Sequence, residues 1–226
     1  MHEHGPFVER YLENTYKTIE SALSQYPRVF ATRFDLMLPV DMQNWPSSII
    51  SRFLDHFKAI VESHLRSLGM KPEKCLPRIV WAKERYKSMN PHYHALLLLN
   101  NDVFHMSGRL GSDNLNLISR IQSSWAKALG LTFKEAQGLV NFPPNRDYKL
   151  DRNSSDFHLQ LEALFHRVSY LAKEKTKNYG DGTRYFSCSQ NSRLVNGFDL
   201  EAQINKNLDG VAQNRDEGLM TDGGLK

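Results

Sequence analysis

The sequence predicts an α+β fold in which helices pack on one antiparallel sheet. The main observation is a hairpin: residues 78–86 and 92–99 are strand-like, and the turn formers Ser, Asn and Pro lie between them, in residues 87–91. The second strand contains four consecutive leucines, Leu96 to Leu99, which indicates a central strand covered on both faces. Apolar residues at helical spacing before and after the hairpin predict the flanking helices.

Four helices and one more strand complete the predicted elements. The helices cover residues 6–26, 44–69, 112–130 and about 155–177. Pro46 suits the first turn of the second helix, Asp113 caps the third, and glycines suit the ends of both. The strand covers residues 28–38, where the apolar pattern changes phase once near Arg33, and residues 142–153 read as a loop.

Length and composition predict one substantial core in the 226 residues, 40% of which are hydrophobic. We expect an N-terminal helix within 1–27, the main domain at 28–200 and a flexible polar tail at 201–226. No apolar run approaches the roughly 18 residues of a membrane span, so no membrane partner is expected. The polar N-terminus does not resemble a secretory signal, and only two cysteines are present, which favours a reducing, cytoplasmic setting.

The formal net charge of +4 is concentrated in one segment of the chain. Between His166 and Arg193 there are six basic and two acidic residues, and the remainder of the chain is balanced, with 23 of each sign. Such a window suits a surface that faces phosphate groups. A solvated basic helix end explains the same charge equally well.

The hairpin also contains a possible metal site. His92 and His94 are two positions apart in a strand, so their side chains project from the same face. Glu84, on the preceding strand, comes close to level with one of the two histidines when the strands pair across the turn. Two imidazoles and one carboxylate suit Mg²⁺ or Mn²⁺ with open positions for a phosphate. The alternative is a pair of polar side chains at a half-exposed strand end.

The helix predicted at 155–177 carries a tyrosine on its polar side. Its apolar residues gather in one sector, and Tyr170 lies roughly opposite the centre of that sector. His166, Lys173 and Lys177 share the polar side with Tyr170 at helical spacing. A phenol needs cations nearby to act as a nucleophile at neutral pH, and lysines supply them beside a phosphodiester. An exposed tyrosine among surface lysines is the ordinary alternative.

In combination, these segments resemble the HUH endonuclease superfamily, which comprises replication initiators and relaxases that nick single-stranded DNA. The closer resemblance is to the filamentous-phage (inovirus) gene-II-type replication initiators and their prophage-encoded relatives. It rests on "WAKERYKSMNPHYHALLLLN" and "YLAKEKTKNYGDGTRYFSCSQ" and spans residues 30–190. The resemblance implies an antiparallel sheet of about four or five strands with helices packed on it and an added N-terminal helix.

The resemblance also implies roles for individual residues. His92, His94 and Glu84 match the metal ligands, Tyr170 the nucleophile and Lys173 its companion lysine. "FATRFDLMLP", which contains Arg33, matches a first motif beside the site that helps to select the DNA sequence. The expected DNA-binding residues are Lys175, Lys177, Arg184, His166 and Arg33. Tyr179 is the second tyrosine candidate, and its position past the expected helix end favours a single-tyrosine enzyme.

The reaction implied is nicking and joining of single-stranded or cruciform origin DNA through a 5′-phosphotyrosine, in a rolling-circle-type replication initiator. Mg²⁺ or Mn²⁺ is the expected cofactor, host helicase and polymerase are the expected partners, and a bacterial cell carrying the phage or prophage is the expected location. Two alternatives stay open. One is a DNA-binding regulator on the same fold that does not nick, and the other is a metal-dependent phosphodiesterase that uses water.

Overall fold

The computed structural model describes residues 7–40, 46–84, 91–111, 115–173, 184–189 and 199–205. The strands are β1 Arg28–Met37, β2 Arg78–Glu84, β3 His92–Asn100, β4 Val140–Asn141, β5 Asp147–Asp151 and β6 Phe186–Cys188. The helices are α1 Glu9–Gln25, α2 Ile49–Ser67, α3 Leu117–Leu129, α4 Phe133–Ala136 and α5 Phe157–Ser169. The predicted class, α+β with an antiparallel sheet flanked by helices, is confirmed.

All six strands belong to one antiparallel sheet, with β3 in the middle. Its order is β4-β1-β3-β2-β6, and β5 shares the outer side of β1 with β4. β5 pairs with the first half of β1 and β4 with the second half, so the sheet is five positions wide. The hairpin of β2 and β3 forms as predicted, and residues 85–90 at its turn lie outside the described residues.

The four leucines of β3 divide between two hydrophobic cores. Leu97 and Leu99 pack on one face with apolar residues of α2 and α3, and Leu96 and Leu98 pack on the other with residues of α1 and α5. All four are buried, as the unbroken run of leucines predicted. The molecule therefore has three layers, with helices on both faces of the sheet.

The apolar pattern of β1 changes phase near Arg33, as the sequence analysis noted, and β1 is nevertheless one continuous strand of ten residues. Val29 and Ala31 belong to the core beneath α1 and α5, whereas Phe34 and Leu36 belong to the opposite core. A strand buried on both faces needs no strict alternation of apolar and polar residues. Apolar residues that face one core in the first half of β1 and the other core in the second half therefore appear in the sequence as a change of phase.

The strands β4, β5 and β6 were not anticipated. β5 lies within the segment 142–153, which was predicted to be a loop, and only Leu150 of its five residues is buried. β6 is a three-residue edge strand beside β2. Edge strands this short carry little of the alternation that identifies a strand in a sequence.

The helix predicted over 155–177 ends earlier than expected. α5 stops at Ser169, a single 3₁₀ turn follows at Tyr170–Ala172, and Lys173 forms an isolated antiparallel bridge with Phe7. The backbone N–H of Val8 donates to the carbonyl oxygen of Ala172 at 2.8 Å. Backbone groups of the N-terminal segment thus bond to residues 172 and 173, where the predicted helix would have continued.

The structure also bears on the predictions about membrane spans, cysteines and domain bounds. None of the helices within the described ranges is both long and apolar enough to cross a membrane. Cys75 and Cys188 are free thiols. Residues 200–205 are helical and Leu200 is fully buried in the core of α1 and α5, whereas 206–226 lie outside the described residues. The proposed division of the chain at residues 27 and 200 stays a prediction.

The N-terminus of α3 gives a first testable prediction. Asp113 lies outside the described residues, and Asn116 is the cap: its side chain accepts a hydrogen bond from the Ser119 backbone N–H at 2.9 Å. Asn116→Ala should lower the free energy of unfolding by about 1 kcal/mol, because that N–H loses its acceptor. Chemical denaturation measures the change, and Asn153→Ala in an exposed turn is the control; equal stability of both variants would contradict the capping role.

Candidate metal centre and the tyrosine beside it

The hairpin places Glu84 and both histidines on one face of the sheet. Glu84 pairs directly with His92 across the β2–β3 ladder, and Ala82 pairs with His94. Directly opposed residues project from the same face, and so do residues two apart in one strand. The three side chains therefore lie together at the end of the sheet, on the face covered by α1 and α5.

The donor atoms of these three residues lie close enough to share one cation. Nε2 of His94 is 3.0 Å from Oε2 of Glu84 and 3.1 Å from Nε2 of His92. The third side of the triangle, from His92 Nε2 to Glu84 Oε2, is 3.9 Å. These separations fit a divalent ion about 2.1 Å from each atom, with coordination positions left for other ligands. The donor set and its geometry thus suit a divalent metal without choosing among metals.

His94 is held from its other side by an acidic residue of β1. Asp35 lies directly opposite His94 in the β1–β3 ladder, and Nδ1 of His94 donates to Oδ1 of Asp35 at 2.5 Å. Asp35 also forms an ion pair with Arg33 and accepts a hydrogen bond from Nδ2 of Asn141 at 3.1 Å. A carboxylate on Nδ1 fixes the imidazole ring so that Nε2 faces the other ligands.

Charge in this cluster shifts the pKa of both partners toward their ionised forms. Burial raises the pKa of Asp35, but the hydrogen bond from His94 and the positive charge of Arg33 outweigh it and leave the pKa well below its usual range. Burial lowers the pKa of His94, but the hydrogen bonds to Asp35 and Glu84 outweigh that effect and the pKa is raised. A proton on Nε2 occupies the position that a cation would take.

Tyr170 lies next to this cluster although it is far from it in sequence. The centroid of its ring is 5.7 Å from that of His94, with the two rings nearly perpendicular. Nζ of Lys173 lies over the Tyr170 ring, 4.1 Å from its centroid. Tyr170 as a residue is 36% exposed, so solvent and ligands can reach it. The 3₁₀ turn and the bridge to Phe7 bring Lys173 here, rather than the helical spacing that the sequence suggested.

The predicted DNA-binding residues fall in different places. An open cleft of about 320 Å³, here called the His94 cleft, is bordered by His94, Tyr170, Arg33 and the exposed His166. Arg33 is buried there, with Nη2 2.9 Å from Nδ1 of His94. Arg184 is exposed and lies two residues before β6, at the edge of the sheet. Lys175, Lys177 and the second tyrosine candidate, Tyr179, lie outside the described residues.

Two residues near the site were missed by the sequence analysis. Asp35 supports His94, and Arg167 lines the His94 cleft. A signal for Asp35 exists: Arg33 and Asp35 are opposite charges two positions apart in a mainly apolar strand, so they share one face. A buried ion pair in such a strand is costly and marks a polar site. No local pattern separates Arg167 from the other basic residues of its segment.

A metal-binding measurement tests the supporting role of Asp35. Asp35→Asn should weaken Mn²⁺ binding by roughly 10–100-fold, because His94 loses the carboxylate that orients its ring. Titration calorimetry with MnCl₂ gives the Kd of each protein. Asp102→Asn is the matched control, since Asp102 pairs with Arg28 on the surface at 2.8 Å. Equal Mn²⁺ affinity of the wild type and the folded Asp35→Asn variant would show that His94 does not depend on Asp35.

Comparison with known proteins identifies close relatives in sequence. The family model of the YagK/YfjJ C-terminal domain matches residues 1–189. The uncharacterized protein YagK of Escherichia coli (strain K12) is 36% identical over 200 residues, which cover 83% of this chain and 95% of YagK. The uncharacterized protein YfjJ of the same strain is 31% identical over 202 residues, which cover 83% of this chain and 97% of YfjJ.

Among solved structures, the N-terminal nuclease domain of non-structural protein 1 from minute virus of mice shows a distant likeness. Sequence identity is 10%, the alignment covers 79% of each chain and the TM-score is 0.24. That viral domain coordinates Zn²⁺ in its active-site pocket and recognises DNA at the origin of replication. At this TM-score neither property is transferred to the present chain.

Proposed function

This chain belongs to the YagK/YfjJ C-terminal domain family, and we propose that it is a metal-dependent enzyme that nicks and rejoins single-stranded DNA through a tyrosine. The observation that supports the proposal is the meeting of two distant parts of the sequence. Glu84, His92 and His94 form a possible metal site, and Tyr170, with Lys173 over its ring, lies against His94. A metal site beside an accessible tyrosine and a lysine suits phosphoryl transfer to a phenol oxygen.

Each side chain has a role in the proposed reaction. A divalent ion, Mg²⁺ or Mn²⁺, held by Glu84, His92 and His94 would supply charge withdrawal from the phosphate. The Tyr170 phenol oxygen attacks phosphorus, the P–O3′ bond breaks, and one proton passes from the phenol to the departing 3′ oxygen. The ammonium group of Lys173 stabilises negative charge on the phenol oxygen and on the phosphate.

The products follow from the direction of attack. The DNA 5′ end is left joined to Tyr170 as a phosphotyrosine, and the other end carries a free 3′-hydroxyl. One phosphodiester replaces another, so the reverse reaction can rejoin the strand. The 3′-hydroxyl suits extension by a polymerase, which supports the finer proposal of a rolling-circle-type initiator of the inovirus gene-II kind. In that role the protein would act on origin DNA in a bacterial cell, with host helicase and polymerase as partners.

One gel experiment separates this proposal from its two alternatives. Wild-type protein is incubated with labelled single-stranded DNA of mixed sequence and Mn²⁺, then denatured and run under conditions that preserve covalent bonds. The proposal predicts label that migrates with the protein. Cleaved DNA without a protein adduct would favour a phosphodiesterase that uses water. Tight binding with neither cleavage nor adduct would favour a regulator that does not nick.

A further inference from the structure

The His94 cleft has a basic residue on its wall, Arg167, that the proposed reaction does not use. Besides His94 and Tyr170, the cleft is lined by Arg33, Pro143, His166, Arg167 and Ser169. No carboxylate is among these described lining residues. Arg33 is already neutralised by its ion pair with Asp35. The cleft therefore offers an anion the remaining positive charge, chiefly that of Arg167.

Arg167 is only partly satisfied by hydrogen bonds. Its Nη2 donates to the carbonyl oxygen of Pro144 at 3.3 Å, which is long for such a bond. Its Nε is buried and has no hydrogen-bond partner within the described part of the chain. Arg167 also forms no ion pair with any of the described residues. A guanidinium held by one long bond can turn into the cleft at little cost, where an anionic oxygen would provide the acceptor that Nε lacks.

We propose that Arg167 binds a phosphate group of the DNA strand in the His94 cleft, next to the phosphate that Tyr170 attacks. This rests on the proposed function for the identity of the ligand. Arg167 lies in the last turn of α5, immediately before the turn that carries Tyr170, and both side chains line the cleft. A strand whose reacting phosphate lies at Tyr170 would run along this wall. Arginine suits the task because its planar fork matches two phosphate oxygens at once.

The test uses three variants and no catalysis. Arg167→Gln removes the charge, Arg167→Lys keeps the charge without the planar fork, and Arg66→Gln removes a charge from an exposed position on α2, across the sheet. Binding of fluorescent single-stranded DNA of mixed sequence is measured by anisotropy in EDTA at several salt concentrations. Because neither metal nor nicking is needed, the result is independent of the adduct experiment.

Arg167→Gln should weaken binding by about 10-fold or more at low salt, as expected for loss of a charged hydrogen bond. In a plot of the logarithm of the binding constant against the logarithm of the salt concentration, the magnitude of the slope should fall by about 0.7. That is the value, about 0.7, for one phosphate contact on a single strand. Arg167→Lys should keep the wild-type slope with weaker binding, and Arg66→Gln should match the wild type. An unchanged slope for Arg167→Gln, or an equal loss for Arg66→Gln, would overturn the proposal. A flatter salt dependence of DNA binding in Arg167→Lys would also overturn it, because lysine keeps the positive charge. This second variant gives a result even if Arg167→Gln fails to fold.

Discussion

Tyr170→Phe is expected to lower DNA nicking by roughly 10⁴-fold or more, because the substitution removes the oxygen that would form the phosphotyrosine. The protein should remain folded, since the ring contacts with His94 and Lys173 do not need the hydroxyl. The free energy of unfolding should change by less than about 0.5 kcal/mol, as for most surface substitutions. Binding of single-stranded DNA should survive, because the metal ligands and basic residues are unchanged.

Single-turnover cleavage of labelled single-stranded DNA measures the effect. Tyr148→Phe, at a half-buried position of β5, is the matched control and should cleave like the wild type. Normal cleavage by Tyr170→Phe would remove this residue from the reaction. Loss of cleavage in Tyr179→Phe instead would mean that the nucleophile lies in the segment 174–183, outside the described residues.

His94→Ala, or removal of the metal by EDTA, is expected to lower cleavage by roughly 10³-fold. A bound metal contributes several kcal/mol to stabilising a phosphoryl-transfer transition state, and each 1.4 kcal/mol is a factor of ten in rate. His94 is the central ligand of the triangle, within 3.1 Å of donor atoms on both Glu84 and His92. The fold should persist in this variant, because Asp35 keeps its ion pair with Arg33 and its hydrogen bond from Asn141.

The same cleavage assay is run with excess EDTA, with Mn²⁺ added back, and with each variant. His105→Ala, in an exposed loop, serves as the control and should retain full activity with Mn²⁺. Cleavage by His94→Ala in excess EDTA at the wild-type rate would exclude the metal role of this cluster.

The hairpin part of the site follows from local sequence. Only residues 85–91 separate the two strands, and so short a separation limits the registers in which they can pair. Glu84, His92 and His94 could therefore be grouped before the structure was known. The central place of β3 followed in the same way from its four leucines, since an apolar run of strand length needs cover on both faces.

The rest of the site depends on contacts between distant segments. Asp35 reaches His94 only because β1 pairs with β3 in one register among several that the sequence would allow. Lys173 reaches the Tyr170 ring because Phe7 and Val8 form backbone contacts with the chain after α5. The helical periodicity of the sequence gives no indication of this contact with the N-terminal segment. Arg184 and His166 both lie in the basic segment, yet the fold separates them, since only His166 lies at the His94 cleft.

The covalent bond itself provides the most direct test of the central claim. Wild-type protein that has reacted with single-stranded DNA and Mn²⁺ is digested with nuclease and then with trypsin, and the peptides are analysed by mass spectrometry. Cleavage after Arg167 and Lys173 isolates Tyr170 on the peptide of residues 168–173, whereas Tyr179 falls on residues 178–184. We predict a nucleotide remnant on Tyr170. A remnant on any other residue, or none on any peptide although the DNA is cleaved, would contradict a Tyr170 nucleophile.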